Sequence, residues 1–309
     1  MNKKILVIGT SNIDFIFRVP HFHQVGETIV AEVMTTAFGG KGANQAITIK
    51  QLGSKVIFLT KLGNDVYGEQ YKKYFLKKGM DAKWILKDKK LPTGMAIIEL
   101  SPKGENRIMV SPGANHSLLP KDLIKNPPPW KEINLFLTQL EIPLETVSTG
   151  LELAQTYGVI TILNPSPGQR LSSRILSMVD FLIPNETEAE IISGIKIRKD
   201  KDIEKIGNIL MEMGSRNIVV TLGEKGLFFK NQDETIWMEA FKVDVKDTTA
   251  AGDAFIGAFA HGIHKGWPIR EVLKFANASG ALATTKIGAQ PSLPMKKDLD
   301  DFFLNNLKY

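Results

Sequence analysis

The segment Asp247–Asp253, with the sequence Asp-Thr-Thr-Ala-Ala-Gly-Asp, places a carboxylate among small residues at the predicted start of a helix. The first N–H groups of a helix lack intrahelical partners and carry a partial positive charge, so they can bind an anion. The small residues Ala250, Ala251 and Gly252 would let a phosphate group approach the backbone closely. Asp253 could then accept a proton from an attacking hydroxyl. The segment therefore favours phosphoryl transfer, with a structural role of Asp253 as a helix N-cap as the alternative.

A second glycine-rich segment, Gly39–Asn44, also opens a predicted helix. It lacks the G-x-x-x-x-G-K-[ST] spacing of a phosphate loop, so we do not assign it that role. Its backbone freedom, together with Lys41 and Asn44, suits hydrogen bonding to a polyhydroxylated ligand. Asn12 and Asp14 follow the first predicted strand, which is where ligands bind in open α/β sheets.

Polar residues follow three further predicted strands, at Glu141, at Asn185–Glu188 and at Thr221–Gly226. Each of them alone is explained by helix capping or turn formation. Together with the two glycine-rich segments they place polar groups at the ends of several strands. This arrangement predicts one ligand crevice along the carboxyl edge of a sheet.

Strand-length apolar runs alternate with longer helical patterns along the chain, which predicts a mostly parallel sheet with helices on both faces. The predicted strands are Ile5–Gly9, Val56–Leu62, Asn134–Gln139, Val159–Leu163, Phe181–Pro184, Asn217–Leu222 and Leu227–Lys230. The predicted helices are Ala43–Leu52, Tyr67–Lys78, Leu144–Tyr157, Glu186–Ser193, Ile203–Met213, Gly252–His264 and Pro268–Thr284.

Two segments, at about residues 15–38 and 93–111, carry strand patterns without an intervening helix. We expect them to form a small separate β-layer, which would act as a lid over the crevice or as a dimerisation surface because its edges need covering. Two ordinary β-meanders at the domain edge are the alternative. We expect residues 1–309 to form a single α/β domain.

The composition excludes several classes of protein. The 309 residues are 43% hydrophobic, carry a formal charge of +6 and include no cysteine, so disulfide frameworks and thiolate metal sites are excluded. The lysines form no long basic block, so we expect no nucleic-acid partner. No apolar stretch approaches membrane-spanning length, and we expect a cytoplasmic protein. His261 and His264 lie three residues apart on a predicted helix, where we expect a solvated face and no metal site.

Taken in order, the motifs resemble those of the ribokinase family of carbohydrate kinases over essentially the whole chain. The matching segments are Asn12–Asp14, Gly26–Glu27, Gly39–Asn44, Pro92–Gly94, Gly113–Asn115, Gln139–Glu141, Asn164–Pro167, Pro184–Glu188, Thr221–Gly223, Asp247–Asp253 and Gly288–Ser292. The resemblance implies ATP-dependent phosphorylation of a sugar, with the 5-hydroxyl of D-ribose as the favoured acceptor. Deoxyribose, a nucleoside and fructose are alternative acceptors, and a sugar-binding protein without catalysis is an alternative function.

The resemblance also implies roles for individual residues. Asp253 would be the catalytic base, and the backbone of Ala250, Ala251 and Gly252 would form an anion hole. The sugar would be held by Asn12, Asp14, Gly39, Gly40, Lys41, Asn44, Glu141 and Asp253. The nucleotide would be held by Asn185, Thr221, Gly223, Glu224, Lys225, Gly226, Gly252 and Asn277.

The resemblance further implies two cations and a second copy of the chain. Glu188 would help to place Mg²⁺, mostly through water. Activating K⁺ would be bound by oxygen atoms of Asp247, Thr249, Ala283, Lys286, Gly288 and Ser292. A homodimer would form through the strands of the lid.

Overall fold

The computed structural model describes residues 3–103 and 105–306 of the chain. Its strands are β1 (Lys4–Ile8), β2 (Asn12–Arg18), β3 (Val33–Gly39), β4 (Val56–Gly63), β5 (Ile85–Asp88), β6 (Gly94–Leu100), β7 (Asn106–Ser111), β8 (Ile133–Thr138), β9 (Ile160–Leu163), β10 (Phe181–Leu182), β11 (Asn217–Thr221), β12 (Leu227–Lys230) and β13 (Thr235–Met238). Its α-helices are α1 (Lys41–Gln51), α2 (Val66–Lys77), α3 (Pro120–Lys125), α4 (Leu144–Thr156), α5 (Ser173–Leu176), α6 (Glu186–Ser193), α7 (Asp200–Glu212), α8 (Ala251–Lys265), α9 (Ile269–Ala283), α10 (Ala289–Ser292) and α11 (Lys296–Asn306).

The described residues form a nine-stranded main sheet with the order β13-β12-β11-β10-β9-β8-β1-β4-β5. From β11 to β5 all neighbouring strands are parallel, whereas β12 and β13 extend the sheet as antiparallel strands. The predicted fold class, a mostly parallel sheet with helices on both faces, is confirmed. The short edge strands β5 and β13 were not predicted, because each has four residues and neither is a continuous apolar run.

The main sheet is buried on both faces. In β1, Ile5 and Val7 belong to one hydrophobic cluster, and the alternating residues Leu6 and Ile8 belong to another. Successive side chains of a strand point to opposite faces, so a strand covered on both sides must be apolar throughout. Helices α1, α8 and α9 contribute to the first cluster, and α4, α6 and α7 contribute to the second.

Strands β2, β3, β6 and β7 form a separate small sheet with the order β3-β2-β6-β7. Its central strands β2 and β6 are parallel, and both edge strands are antiparallel to their neighbours. The predicted small β-layer is therefore confirmed, and the role of a lid stays a prediction. Phe38 of β3 stacks on Tyr71 and Tyr74 of α2, at ring-centroid distances of 4.5 Å in both cases. These contacts attach the small sheet to the main body.

One sequence expectation about α8 is wrong. His261 does not lie on a solvated face but is buried, and its Nδ1 lies 2.8 Å from Ser54 Oγ. Burial lowers the pKa of His261 to about 4, so the imidazole is neutral at physiological pH. Within the part of the chain that the structure describes, no helix combines the length and the apolar character needed to cross a membrane.

Candidate active site

Asp253 is the third residue of α8, and its hydrogen-bond partner Gln45 also contacts Gln139 and Asn164, which directly follow β8 and β9 of the main sheet. Its carboxylate is 7% exposed and accepts two hydrogen bonds, from Asn44 Nδ2 to Oδ2 and from Gln45 Nε2 to Oδ1, each of 2.9 Å. The N-cap position is occupied by Ala250, whose φ is 61° and which makes no side-chain cap. The alternative of Asp253 as the N-cap is therefore wrong, and the carboxylate is available for other chemistry.

The first turn of α8 presents backbone N–H groups beside this carboxylate. The N–H of Ala251 donates to the Thr248 carbonyl at 3.2 Å, and the N–H of Ala254 donates to the Ala250 carbonyl. Helix geometry leaves the N–H groups of Gly252 and Asp253 without an intrahelical acceptor. The amide of Gly252, which belongs to the predicted anion hole, and the amide of Asp253 can therefore donate to an anion, and Ala250 with its left-handed backbone sets the direction in which the helix starts.

Three acidic side chains and one lysine come together around the start of α8. Asp14 of β2, Glu141 after β8 and Asp253 interact electrostatically with one another, and Lys41 at the start of α1 interacts with Glu141 and Asp253. Glu141 Oε2 accepts hydrogen bonds from the Lys41 N–H at 3.3 Å and from the Thr10 hydroxyl. Four of the predicted sugar-binding residues, Asp14, Lys41, Glu141 and Asp253, thus form one charged cluster.

Burial and mutual repulsion perturb the pKa values of these groups. The pKa of Asp14 is raised to about 7 by burial first and then by the charges of Glu141 and Asp253. Burial also raises the pKa of Glu141, although Lys41 and Thr10 oppose the effect. Burial alone would lower the pKa of Lys41, but the surrounding carboxylates outweigh it and raise this pKa. Carboxyl groups with raised pKa values in a cleft are typical of functional sites.

The backbone around Asp14 is shaped to leave room for its carboxylate. Gly39 ends β3, and a methyl group at this position would lie 2.0 Å from Asp14 Oδ2. Gly40 is the N-cap of α1 and has a φ of 92°, which favours glycine. The neighbouring Asn12 accepts a hydrogen bond of 2.7 Å on its Oδ1 from Asn115 Nδ2. The positioning contact from Asn115 was missed by the sequence analysis, which noted the Gly113–Asn115 motif without assigning it a contact.

The predicted nucleotide residues lie around the ends of β10 and β11. Asn185 caps α6, and its side chain and that of Glu188 form a reciprocal capping box with hydrogen bonds of 2.8 and 2.9 Å. The capping explanation for this pair is therefore correct, and a role in metal or nucleotide binding stays a prediction. Thr221 forms an isolated parallel bridge with Asn185.

The rest of the predicted nucleotide set lies in a turn after β11 and on α9. Residues Gly223–Lys225 form a single 3₁₀ turn, and Gly226 follows with a φ of 102°. The Lys225 ammonium lies 3.9 Å from Glu186. Asn277 of α9 donates from Nδ2 to the Glu239 carbonyl at 2.7 Å.

The predicted cation-binding residues lie in two segments that are joined by hydrogen bonds. Asp247 Oδ1 accepts from the N–H and the hydroxyl of Thr249, and Asp247 Oδ2 accepts from the Gly288 N–H at 2.8 Å. Burial would raise the pKa of Asp247, but these hydrogen bonds outweigh it and hold the pKa below its ordinary value. Ala283 ends α9, and Ser292 is buried in α10. The Lys286 ammonium points to Asp298 at 3.7 Å, so this residue could offer a cation only its backbone oxygen.

Three buried amide side chains behind Asp253 were not predicted as site residues. Gln45 contacts Asp253 directly, and Gln139 and Asn164 contact Gln45. Gln139 and Asn164 belong to segments that the sequence analysis noted without assigning a role to either side chain. Gln45 directly follows the Gly39–Asn44 segment, and this position next to Asn44 was the one feature of the sequence that could have predicted it as a site residue.

Comparisons with known proteins agree with this geometry. The model of the pfkB family of carbohydrate kinases matches residues 2–296. The chain is 35% identical to a ribokinase of Staphylococcus aureus over 302 residues, which cover 97% of this chain and 99% of that protein. It is 34% identical to a deoxyribokinase of Salmonella typhimurium over 303 residues, covering 98% of this chain and 99% of that protein.

The fold comparison gives the same result. The structure of Arabidopsis thaliana ribokinase complexed with ribose and ATP superposes with a TM-score of 0.89 at 29% identity, covering 97% of this chain and 98% of that chain. The family match covers most of the sequence, and the charged cluster of Asp14, Lys41, Glu141 and Asp253 includes a residue that follows β8 of the main sheet. The chain therefore belongs to the pfkB family of carbohydrate kinases.

Proposed function

We propose that this protein transfers the γ-phosphoryl group of ATP to the 5-hydroxyl of D-ribose, giving ribose 5-phosphate and ADP. The observation that supports this most is the Asp253 carboxylate at the N-terminus of α8, facing a pocket with Asp14, Lys41 and Glu141. Relatives named ribokinase, one of them solved with ribose and ATP, favour this acceptor and this donor. An assay of ADP release across pentoses, deoxypentoses, hexoses and nucleosides tests the proposal.

Protein groups of the site would perform each step of the phosphoryl transfer. Asp14, Asn12 and Glu141 would accept hydrogen bonds from the sugar hydroxyls and orient the terminal hydroxyl towards Asp253. Asp253 would take the proton from that hydroxyl as its oxygen attacks the γ-phosphorus. The N–H groups of Gly252 and Asp253 would stabilise the charge on the transferring phosphoryl oxygens.

The donor would lie along the ends of β10 and β11. Thr221, Gly223 and Gly226 would line the nucleotide with Asn277, and Asn185 would contact the phosphates. No group of three or more His, Asp or Glu side chains suited to hold a metal ion occurs in residues 3–103 and 105–306. Mg²⁺ would therefore be held by the phosphates and water, with Glu188 as its protein partner, and it would neutralise phosphate charge. Glu188 fits this role because within the described residues its Oε2 accepts the Asn185 N–H, whereas its Oε1 makes no hydrogen bond and could face the cation or its water.

We propose K⁺ as an activator that binds beside the anion-binding turn. The donor set fits a monovalent cation, because the lowered pKa of Asp247 keeps its carboxylate ionised, and Asp247 is hydrogen-bonded to the backbone of Thr284 and Gly288. The cation would be bound by Asp247, Ala283, Gly288 and the oxygens of Thr249, Lys286 and Ser292. The cation would stabilise the turn that precedes α8 on the side away from the phosphate.

K⁺ is expected to raise turnover severalfold when it replaces a large inert cation, because an ordered turn holds the amides of Gly252 and Asp253 in place for the transition state. Turnover would be measured in Na⁺-free buffer with tetramethylammonium replaced stepwise by K⁺ at constant ionic strength. The variant Asp247→Asn should show a weaker response. Equal rates in both buffers would contradict the activator role.

Deoxyribose is the main competing acceptor, because a deoxyribokinase is about as similar to this chain as a ribokinase is. We expect ribose to have a kcat/KM at least about tenfold higher than 2-deoxyribose, because a missing hydroxyl leaves buried polar groups without a partner. The comparison requires both sugars under identical conditions with saturating ATP. A preference for deoxyribose would keep the kinase mechanism and replace the substrate.

A nucleoside or fructose preference in the same assay would likewise change the acceptor only. Binding of a sugar without any ADP release would favour the remaining alternative, a sugar-binding protein without catalysis. The presence of Asp253 with its free helix amides counts against that alternative, since binding alone does not need them.

We also propose that the small sheet is a lid over the sugar and pairs two copies of the chain in a homodimer. Its edge strands expose apolar side chains, with Val33 and Met34 on β3 and Ile108, Met109 and Val110 on β7. Exposed edges of this kind need covering. Light scattering should give twice the mass of one chain for the native protein and a lower mass for Met109→Lys, with exposed Ile124→Lys on α3 as the control. A native monomer would contradict the dimer.

The remaining proposals concern organisation and location. We propose that the chain acts as one catalytic domain and works in the cytoplasm, and that besides a second copy of the chain its partners are a sugar and ATP, with no nucleic acid or membrane. Limited proteolysis that yields two separately stable fragments would contradict the first statement. Cell fractionation that places the protein with membranes would contradict the second.

A further inference from the structure

We propose that Gln45 is a positioning residue that holds the Asp253 carboxylate in the orientation needed for proton transfer, with its own amide fixed by Gln139 and Asn164. The inference rests on the proposed function, because it assigns a support to the proposed catalytic base. It concerns three side chains that play no direct part in contacts with sugar or nucleotide in the mechanism above.

The contact between Gln45 and Asp253 is short and shielded from water. Gln45 lies on α1 with no exposed surface, and its Nε2 donates to Asp253 Oδ1 at 2.9 Å. Asn44 donates to the other carboxylate oxygen, so each oxygen accepts one N–H group. Both hydrogen bonds favour the ionised carboxylate, which only accepts, over the protonated acid. Each oxygen keeps a lone pair with which it can take a proton.

The orientation of the Gln45 amide follows from its neighbours. Asn164 donates from Nδ2 to the Ile183 carbonyl at 3.0 Å, so its Oδ1 faces Gln45 and accepts from Gln45 Nε2 at 3.2 Å. Gln139 donates from Nε2 to Gln45 Oε1 at 2.6 Å. A carbonyl and a carboxylate can only accept, so these partners fix which end of each amide is the donor. Rotating the Gln45 amide by 180° would break its hydrogen bonds to all three partners.

Asn44, the second donor to Asp253, differs from Gln45 in how its amide is held. Its Oδ1 is buried and has no hydrogen-bond partner within the described residues, so its amide can turn without losing a second contact. Of the two donors to Asp253, Gln45 is therefore the one whose orientation is locked. This difference assigns the positioning role to Gln45 and leaves Asn44 free to contact a ligand.

The cluster of amide side chains formed by Gln45, Gln139 and Asn164 lowers the stability of the fold if it has a structural role alone. The Oε1 of Gln139 is buried without a hydrogen-bond partner in the described part of the chain, and a methyl group on Gly9 would lie 2.1 Å from it. An unsatisfied buried acceptor costs about 1–3 kcal/mol, and apolar residues of similar shape would avoid that cost. Gln139 contacts the residue that donates to Asp253, so a need to orient the Asp253 carboxylate explains why the cluster keeps such an acceptor.

Three charged groups interact electrostatically with Asp253 and contribute to the pH dependence of the site. These are Asp14 of β2, Lys41 of α1 and Glu141 after β8. All three are present in wild type and in a Gln45 variant. A difference between the two proteins in the pH profile therefore reports the hydrogen bond from Gln45.

The test replaces Gln45 by methionine, which has a similar length but no hydrogen-bonding group. We expect Gln45→Met to lower kcat about 10–100-fold, to change the KM for the sugar less than threefold, and to move the acid limb of the kcat–pH profile to higher pH. A control variant, Ser54→Ala, removes a buried hydrogen bond to His261 elsewhere in the fold and should leave the profile in place. An unchanged kcat and an unchanged acid limb in folded Gln45→Met would overturn the proposal.

A second variant and a measurement without turnover test the role of Gln45 even if Gln45→Met does not fold or the acceptor is not ribose. If Gln45→Met does not fold, Gln139→Met removes only the lock on the Gln45 amide and should move the acid limb in the same direction by a smaller amount. Protein labelled with ¹³C at aspartate carboxyl carbons, assigned with Asp253→Asn, reports the surroundings of the Asp253 carboxylate without any turnover. At one fixed pH its chemical shift should differ between Gln45→Met and wild type, even if the acceptor differs from ribose. An unmoved chemical shift would refute the positioning role and leave the proposed kinase function intact.

Discussion

Replacing Asp253 by asparagine is expected to lower kcat by about 10²–10⁴-fold, because the variant loses the group that removes the proton from the attacking hydroxyl. The fold should survive the change. Gln45 can keep its donation to the Oδ1 of an asparagine at this position, and the Asn44 amide can turn to present its unpartnered Oδ1 to the new NH₂ group. The KM for the sugar should change little, since the other sugar-binding groups are untouched.

Steady-state kinetics and calorimetric sugar binding on the same purified variant separate the loss of chemistry from a loss of binding. Asp301→Asn, which changes an exposed carboxylate on α11, is the matched control and should behave as wild type. A near-normal kcat in folded Asp253→Asn would remove this residue as the base and with it the proposed mechanism.

Replacing Asp14 by asparagine is expected to weaken sugar binding and to stabilise the free protein at alkaline pH. Hydrogen bonds to a charged group contribute about 1.5–3 kcal/mol, so the KM for the sugar should rise about 10–100-fold. The same carboxyl has a pKa of about 7 in the folded protein, above its ordinary value of 3.8, because it is buried beside Glu141 and Asp253.

The sign of the stability effect follows from proton binding. Between pH 4 and pH 7 the folded state binds a proton at Asp14 that the unfolded state releases, so this group's contribution to stability falls as pH rises through that window. Above pH 7 the wild type carries the full penalty of a buried, repelled carboxylate. Asp14→Asn should therefore unfold with a free energy higher by on the order of 1–4 kcal/mol at pH 8 and similar to wild type at pH 4.

Urea denaturation of both proteins at several pH values, without sugar, measures this difference. Asp301→Asn again provides the control, because an exposed carboxylate gains no such advantage from neutralisation. A variant that is less stable than wild type at pH 8 would show that Asp14 is stabilised as the carboxylate in the free protein. Stability that is traded for a functional charge is common in binding sites.

The fold was largely predictable because its signals are local. A short apolar run such as Ile5–Ile8 that ends at a glycine is typical of a strand covered on both faces, and the small residues after Gly252 indicate a closely packed helix. The chemistry of the Asp247–Asp253 segment could likewise be predicted from its own residue types, and the structure places the segment at the start of a helix. Edge strands and the burial of His261 were not predictable, because a short polar strand and a polar residue on a helix have several equally good local explanations.

The amino-acid sequence by itself determined the fold class, the edge of the sheet that carries polar groups and the carboxylate at the start of α8. Only the tertiary structure decided which side chains surround that carboxylate. Gln45 and Asn164 are 119 residues apart in the chain and meet at 3.2 Å, because the order of the strands brings the end of β9 beside α1. Strand order results from the packing of the whole core. Hydrogen-bond partners in the crevice therefore cannot be inferred from the spacing of residues along the chain.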